Sequence, residues 1–210
     1  SDGPDLSVVD VPFQVPTKKE LRSLRIGYIE SAFKDTNTTD NDRAVLARLR
    51  ELGFTLIPIE LPEFPTSSLS FLLNVEAAAA FDEMTRTNTD DELVRQVKWA
   101  WPNVFRTARH VPAVEYVQAN RARVILNQKM FELFKSIDLY VVPSFWGDNL
   151  LRTNLTGHPC VVIPNGFNEK GSPTSISFIG DLYRDGEVVA VAHAYQRGTS
   201  WHKKYPPKFK

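Results

Sequence analysis

The stretch Asn154–Phe167, NLTGHPCVVIPNGF, constrains this chain more than any other. A Gly157-x-Pro159 turn leads into a short apolar run, Cys160 to Ile163, and Pro164, Asn165 and Gly166 stop it. An apolar run this short, punctuated by Gly and Pro on both sides, reads as a strand buried in a sheet. The order loop, strand, loop sets Asn154 and Asn165 at opposite ends of that strand. Strand ends are where α/β proteins build their sites.

The flanking sequence supports an α/β chain. Residues 1–23 are rich in Pro and Asp and read as an extended connector, followed by a single α/β domain over 24–210. LRIGYI (Leu24–Ile29) is a strand. Thr39 or Asp40 caps a helix to about Leu52, and Gly53 fits the left-handed stop after it. TLIPIEL (Thr55–Leu61) is a second strand, parallel to the first, and Pro58 marks it as an edge or a bulge. Ser68–Arg86 reads as a helix capped by Ser68, and Glu92–Trp101 as another, interrupted by Pro102. The longest helix starts at Pro112 and runs to about Ser136, with Val117, Val124, Leu126, Met130, Phe131 and Phe134 on its apolar side. DLYVVPSF (Asp138–Phe145) is a buried strand, TSISFIG (Thr174–Gly180) a half-exposed one, and Glu187–Gln196 a final amphipathic helix.

Composition narrows the function classes. Lys plus Arg and Asp plus Glu balance at 25 each, which removes the usual electrostatic footprint for nucleic acid or an anionic membrane. No run approaches the ~18 apolar residues of a membrane span. No targeting signal is legible, so the compartment stays open, with the cytoplasm favoured. One Cys and four scattered His give no metal-ligand spacing, and neither a metal nor a cofactor is expected. Cys160 reads as a buried, inert thiol.

Candidate nucleophiles lack their supporting groups. No Gly-x-Ser-x-Gly elbow occurs, and in Gly171-Ser172-Pro173 the proline removes a donor that an oxyanion hole would need. Ser67-Ser68 lacks flanking glycines. His110, His158, His193 and His202 read as structural or solvated, and Arg106, Arg109, Arg121 and Arg123 as a solvated helix face. The loop SFWGDN (Ser144–Asn149) differs, because it sets an aromatic ring, a carboxylate and an amide at a strand end. That suits a ligand pocket; the competing reading has Trp146 covering the core and Asp148 capping a short helix.

The residues so far named resemble, in order, the carboxy-terminal half of the amidase signature family. NLTGHPCVVIPNG is similar to its Asn-Leu-x-Gly-x-Pro strand segment, and GSPTSISFIG to the strand that follows. VEYVQANRAR (Val114–Arg123) resembles its Tyr-x-x-Ala-x-x-x-Arg helix, and DLYVVPSF its Asp-x-x-x-x-Pro strand. LRSLRIGYI with LGFTLIPIELP, SVVDVPF before them, and the ending Thr199-x-Trp201-His202 also look like family segments.

The resemblance implies a mixed, partly parallel sheet of about five strands flanked by helices, a partial amidase fold without its amino-terminal catalytic half. It implies hydrolysis of a carboxamide C–N bond, or transfer of its ammonia, through an acyl-enzyme in the complete protein. Family members use a Ser nucleophile, a bridging Ser and a Lys base in a Gly/Ser-rich region that these 210 residues lack, so no catalytic residue is assigned. Substrate contacts are expected at Trp146, Asp148, Asn149 and Asn154, with Arg86 a lesser candidate; the Asp148–Asn154 spacing differs from the family's. Expected partners are a small amide and either the catalytic half or a second copy, since half a shared sheet leaves an open edge. The other class of function is a non-catalytic binding or scaffold domain derived from the same fold.

Overall fold

The computed structural model describes residues 11–206, so the start of the connector and the last tail residues fall outside it. Contacts divide the chain into two compact units, Ser1–Pro62 with Met130–Lys210, and Glu63–Lys129, where the sequence reading has one domain. The connector is not extended throughout. Lys18–Ser23 form a helix, α1, because Thr17 and Glu20 cap each other: the Glu20 carboxylate accepts from the Thr17 N–H at 2.7 Å.

The first unit carries the sheet. In chain order it contains β1 (Arg25–Ile29), α2 (Glu30–Lys34), α3 (Asp40–Glu51) and β2 (Thr55–Ile59). The second unit supplies α4 (Phe71–Ala80), α5 (Asp82–Arg86), α6 (Trp101–Ala108) and most of α7 (Ala113–Phe134). Back in the first unit come β3 (Leu139–Pro143), α8 (Asn149–Thr156), β4 (Cys160–Phe167), β5 (Pro173–Gly180) and α9 (Asp185–Arg197). The strands form one mixed sheet in the order β2-β1-β3-β5-β4. β1 pairs in parallel with β2 and β3, whereas β5 runs antiparallel to β3 and β4. Pro58 sits in β2 at one edge of the sheet, where a missing ladder donor costs least.

β3 lies at the centre, and all five of its residues are buried. Its alternation serves both faces. Tyr140 packs on Phe134 at a ring separation of 5.9 Å. On the opposite face Val141 is in register with Phe178, which packs on Tyr195 of α9 at 5.9 Å. Arg25 grips Asp138 through its guanidinium at 2.9 Å and its backbone N–H at 2.7 Å, which fixes the start of β1 against the start of β3.

Several local expectations change. β4 continues through Pro164, Asn165 and Gly166 as a bulged strand, instead of stopping at Ile163. It is an edge strand, so Cys160 and Val162 are exposed and the thiol is not buried. The helix expected over Ser68–Arg86 is a 3-10 turn at Thr66–Leu69, then α4 and α5 with a break at Phe81; Ser68 lies inside the turn instead of capping a helix. Pro102 opens α6, where its missing N–H costs nothing, and does not interrupt a helix. On α7, Leu126, Met130 and Phe134 are buried, but Val117, Val124 and Phe131 are exposed. These three recur every seven residues along a row of their own, so α7 carries a second apolar stripe facing solvent.

The second unit has its own small core of Ala78, Phe105 and Ala108, with Phe105 stacked between Phe81 and Trp101. Four of its arginines pair with carboxylates: Arg86 and Arg109 with Asp82, Arg106 with Asp90 and Asp91, and Arg123 with Glu76. Among the described residues, no helix is long and apolar enough to cross a membrane, and no cluster of three His, Cys, Asp or Glu could hold a metal.

Candidate substrate pocket

The pocket begins where β3 leaves the sheet. Pro143 ends the strand, and the Ser144 N–H still reaches the Ser175 carbonyl of β5 at 3.3 Å. The Ser144 and Ser177 hydroxyls share a hydrogen bond at 2.9 Å. A tight turn follows, with the Trp146 N–H donating to the Pro143 carbonyl at 3.2 Å. Phe145 and Gly147, on either side of Trp146, adopt positive φ of 66° and 54°, and the indole reaches the loop after α2. Its Nε1–H donates to Asp35 Oδ2 at 3.3 Å. Asp35 sits in the loop between α2 and α3, where the Asn37 N–H foremost, and also Trp146, hold its carboxyl below the usual carboxylate range.

A cavity of about 620 Å³ lies beside this contact, lined among others by Asp35, Thr38, Asp42, Trp146 and Ser175. Pro143, Phe145 and Pro173 give it an apolar side. Its polar side is the start of α3. There Thr39 and Asp42 form a reciprocal cap, with the Thr39 hydroxyl donating to Asp42 at 2.6 Å. The buried Asn165 amide donates to the other Asp42 oxygen at 2.7 Å and so ties β4 to α3. Gly166 permits this approach, because a Cβ there would meet the Asn41 amide at 2.5 Å.

Of the residues expected to contact substrate, Trp146 lines the cavity and the others do not. Asp148 occupies the N-cap position of α8, but its carboxylate turns to Arg152 at 3.0 Å instead of capping. Arg152 is buried and also donates to the Pro62 carbonyl at 3.1 Å. Asn149 is buried behind the turn, and its Oδ1 accepts from the Tyr140 hydroxyl at 2.7 Å. Burial pushes that phenol far above its ordinary value. Asn154 lies within α8 and is exposed, one turn before Gly157 closes the helix at φ 78°. It is therefore in a helix and not at the strand end. Arg86 is on α5, paired with Asp82.

Sequence reasoning misses Asp35, Thr38, Asp42 and Ser175. The first three surround a Thr-x-x-Asp cap that is visible as a pattern, but only the β1-β3-β5 pairing brings them beside Trp146. Ser172, a candidate nucleophile by sequence, is exposed in the β4–β5 turn, where its N–H donates to Asn168 at 2.9 Å. His110, His193 and His202 are exposed, and His158 is buried away from the cavity lining.

Known proteins share this fold. The family profile named Amidase matches residues 1–189. A glutamyl-tRNA(Gln) amidotransferase subunit of Microcystis aeruginosa is 23% identical over 231 residues, covering 90% of this chain and 48% of that protein. The same amidotransferase subunit from Burkholderia ambifaria is 27% identical over 234 residues, covering 90% and 47%. Among solved structures, 6-aminohexanoate cyclic dimer hydrolase superposes with a TM-score of 0.71 at 16% identity, over 90% of this chain and 47% of its own. A bacterial aryl acylamidase of the amidase signature enzymes gives 0.67 at 16% identity, over 87% and 45%. This chain thus spans about half the length of the curated relatives it matches. Matched over most of its length and built on the same mixed sheet, the chain belongs to the amidase family, the amidase signature enzymes.

Proposed function

We propose that this chain forms the substrate-pocket region of an amidase-type enzyme, which in the complete protein cleaves a carboxamide C–N bond through an acyl-enzyme. The carrying observation is the cavity at the end of β3, with Trp146 anchored by Asp35, inside a family fold represented here by about half. An indole wall with hydroxyl and carboxylate groups opposite suits a small amide: apolar contact for its carbon part, and acceptors for its N–H donors. The chemistry itself would come from a Ser, a bridging Ser and a Lys supplied by the amino-terminal region that the resemblance implies.

The partner of this region is, on the same reading, that catalytic half, with self-association the other outcome. The open edge of β4, with exposed Cys160 and Val162, and the solvent-facing stripe Val117, Val124 and Phe131 are surfaces such a partner would cover. Compartment follows no feature of the fold, and the cytoplasm remains the proposal.

The pocket is testable on the chain itself. Titration with benzamide, followed by amide chemical shifts of Thr38 and Ser175, is expected to show weak saturable binding. Trp146→Ala should weaken it about tenfold, the ~1.4 kcal/mol that one good aromatic wall supplies. Equal affinity in both proteins would remove Trp146 from the pocket.

The non-catalytic binding or scaffold reading shares the pocket and predicts the same titration. It parts from the enzyme reading only in turnover once the catalytic half is present.

A further inference from the structure

At the end of the sheet where β4 begins, a buried histidine nitrogen faces a carboxylate at 3.9 Å with no hydrogen bond between them. His158 follows Gly157 in the turn from α8 into β4, and its side chain is 2% exposed. Its Nδ1 lies 2.7 Å from the Thr156 hydroxyl. That hydroxyl donates its own proton to the Arg152 carbonyl at 2.8 Å, so towards the ring it can only accept. On that geometry we assign the proton of the neutral imidazole to Nδ1, which leaves Nε2 bare. Nε2 is buried without a hydrogen-bond partner. The nearest carboxylate oxygen is Asp181 Oδ1, 3.9 Å away.

Asp181 belongs to the loop from β5 into α9. The same Oδ1 accepts the Leu182 N–H at 2.8 Å. The Arg184 N–H closes the loop on the Asp181 carbonyl at 3.1 Å, and Tyr183 sits at φ 62°. The two connections already touch: the Gly180 N–H donates to the Pro159 carbonyl at 3.0 Å.

We propose that His158 and Asp181 form a proton-operated latch between the α8–β4 turn and the β5–α9 loop. A proton taken from solvent onto Nε2 turns two opposed acceptors into a donor and an acceptor of opposite charge. The loop is then drawn onto the turn, and the start of α9 with it. Without that proton the gap stays open.

The charge that acts on the imidazole is that of Asp181. Phe134, from the end of α7, stacks on the imidazole at 4.9 Å and brings no charge. Beyond that ring lies the neutral Tyr140 phenol of β3, 5.9 Å from Phe134. On α8, Arg152 is engaged by Asp148. In the loop, Arg184 is engaged by Glu187 while lying within electrostatic reach of Asp181. Burial pushes the imidazole below its ordinary value, and Asp181 is the charge that opposes the shift. The sign follows: the folded chain binds this proton less readily than the unfolded chain. The stability His158 contributes is therefore full above about pH 6.5 and is lost as pH falls through the lowered value. The latch closes only in that acidic range.

The test is an NMR titration of the His158 ring and the Leu182 amide in the intact chain, wild type and Asp181→Asn. Asp181 is partly exposed, so the variant should fold. In the wild type, ring and amide are expected to titrate with one midpoint, below 6.5. Asp181→Asn should lower the ring midpoint further and abolish the titration of the Leu182 amide. A ring midpoint unmoved by the substitution, or a Leu182 amide that does not follow the ring, would overturn the latch.

Discussion

The isolated chain, incubated with acetamide, benzamide or glutamine, is expected to release no ammonia above the uncatalysed background. Amide cleavage through an acyl-enzyme needs a nucleophile, a base within hydrogen-bond reach of it, and donors for the oxyanion. The cavity has hydroxyls at Ser144 and Ser175, but neither lysine nor histidine lines it. Ser144 is already bonded to Ser177, and the carboxylates present are engaged by Asn37 and Trp146 at Asp35 and by Thr39 and Asn165 at Asp42. Enzymes of this kind accelerate reactions by about a million-fold or more, so the deficit is large and unambiguous in an ammonia assay. Turnover that vanishes on a single change such as Ser144→Ala, Ser172→Ala or Ser175→Ala would contradict the reading.

Replacement of Phe178 by Ala is expected to lower unfolding stability by about 3–5 kcal/mol. Phe178 is fully buried on β5 and in register with Val141 on one side and Val161 on the other. It also packs on Tyr195, which joins α9 to the sheet. Truncation therefore removes the ring that three strands and a helix close around, and the neighbours on a hydrogen-bonded sheet cannot collapse into the space. Domains of this size have only about 5–15 kcal/mol in total, so the variant should unfold at clearly lower urea. The exposed control Val162→Thr should stay within about 0.5 kcal/mol. A Phe178→Ala loss below about 1 kcal/mol would mean that this face of the sheet is not packed as described.

The strands are legible in the sequence because their signals are local. LRIGYI, DLYVVP and TSISFIG carry the right composition between clear stops, and Pro58 identifies an edge. Burial is less legible, since it depends on strand order. Cys160 reads as core from its apolar neighbours, yet β4 is outermost and the thiol is exposed. The apolar side of α7 misleads for a related reason: pooling Val117 with Leu126 merges two faces that the helical period separates.

The pocket is partly legible. Trp146 stands out as an aromatic ring in a polar loop after a buried strand, and it does line the cavity. Asp148 and Asn149 share that loop, but their side chains satisfy Arg152 and Tyr140. Asn154 reads as part of a turn because Gly157 and Pro159 follow it, whereas Gly157 is the left-handed stop of a helix that contains Asn154. The opposite wall comes from Asp35 to Asp42, more than a hundred residues away, and only the assembled sheet brings it there.

The most direct test of the account is ammonia release from a small amide when this chain is expressed together with the Gly/Ser-rich catalytic segment of an amidase signature relative. The account predicts activity in the mixture, none in either piece alone, and a mixture rate reduced about tenfold or more by Trp146→Ala. Activity in this chain alone, or a mixture rate indifferent to Trp146→Ala, would contradict it.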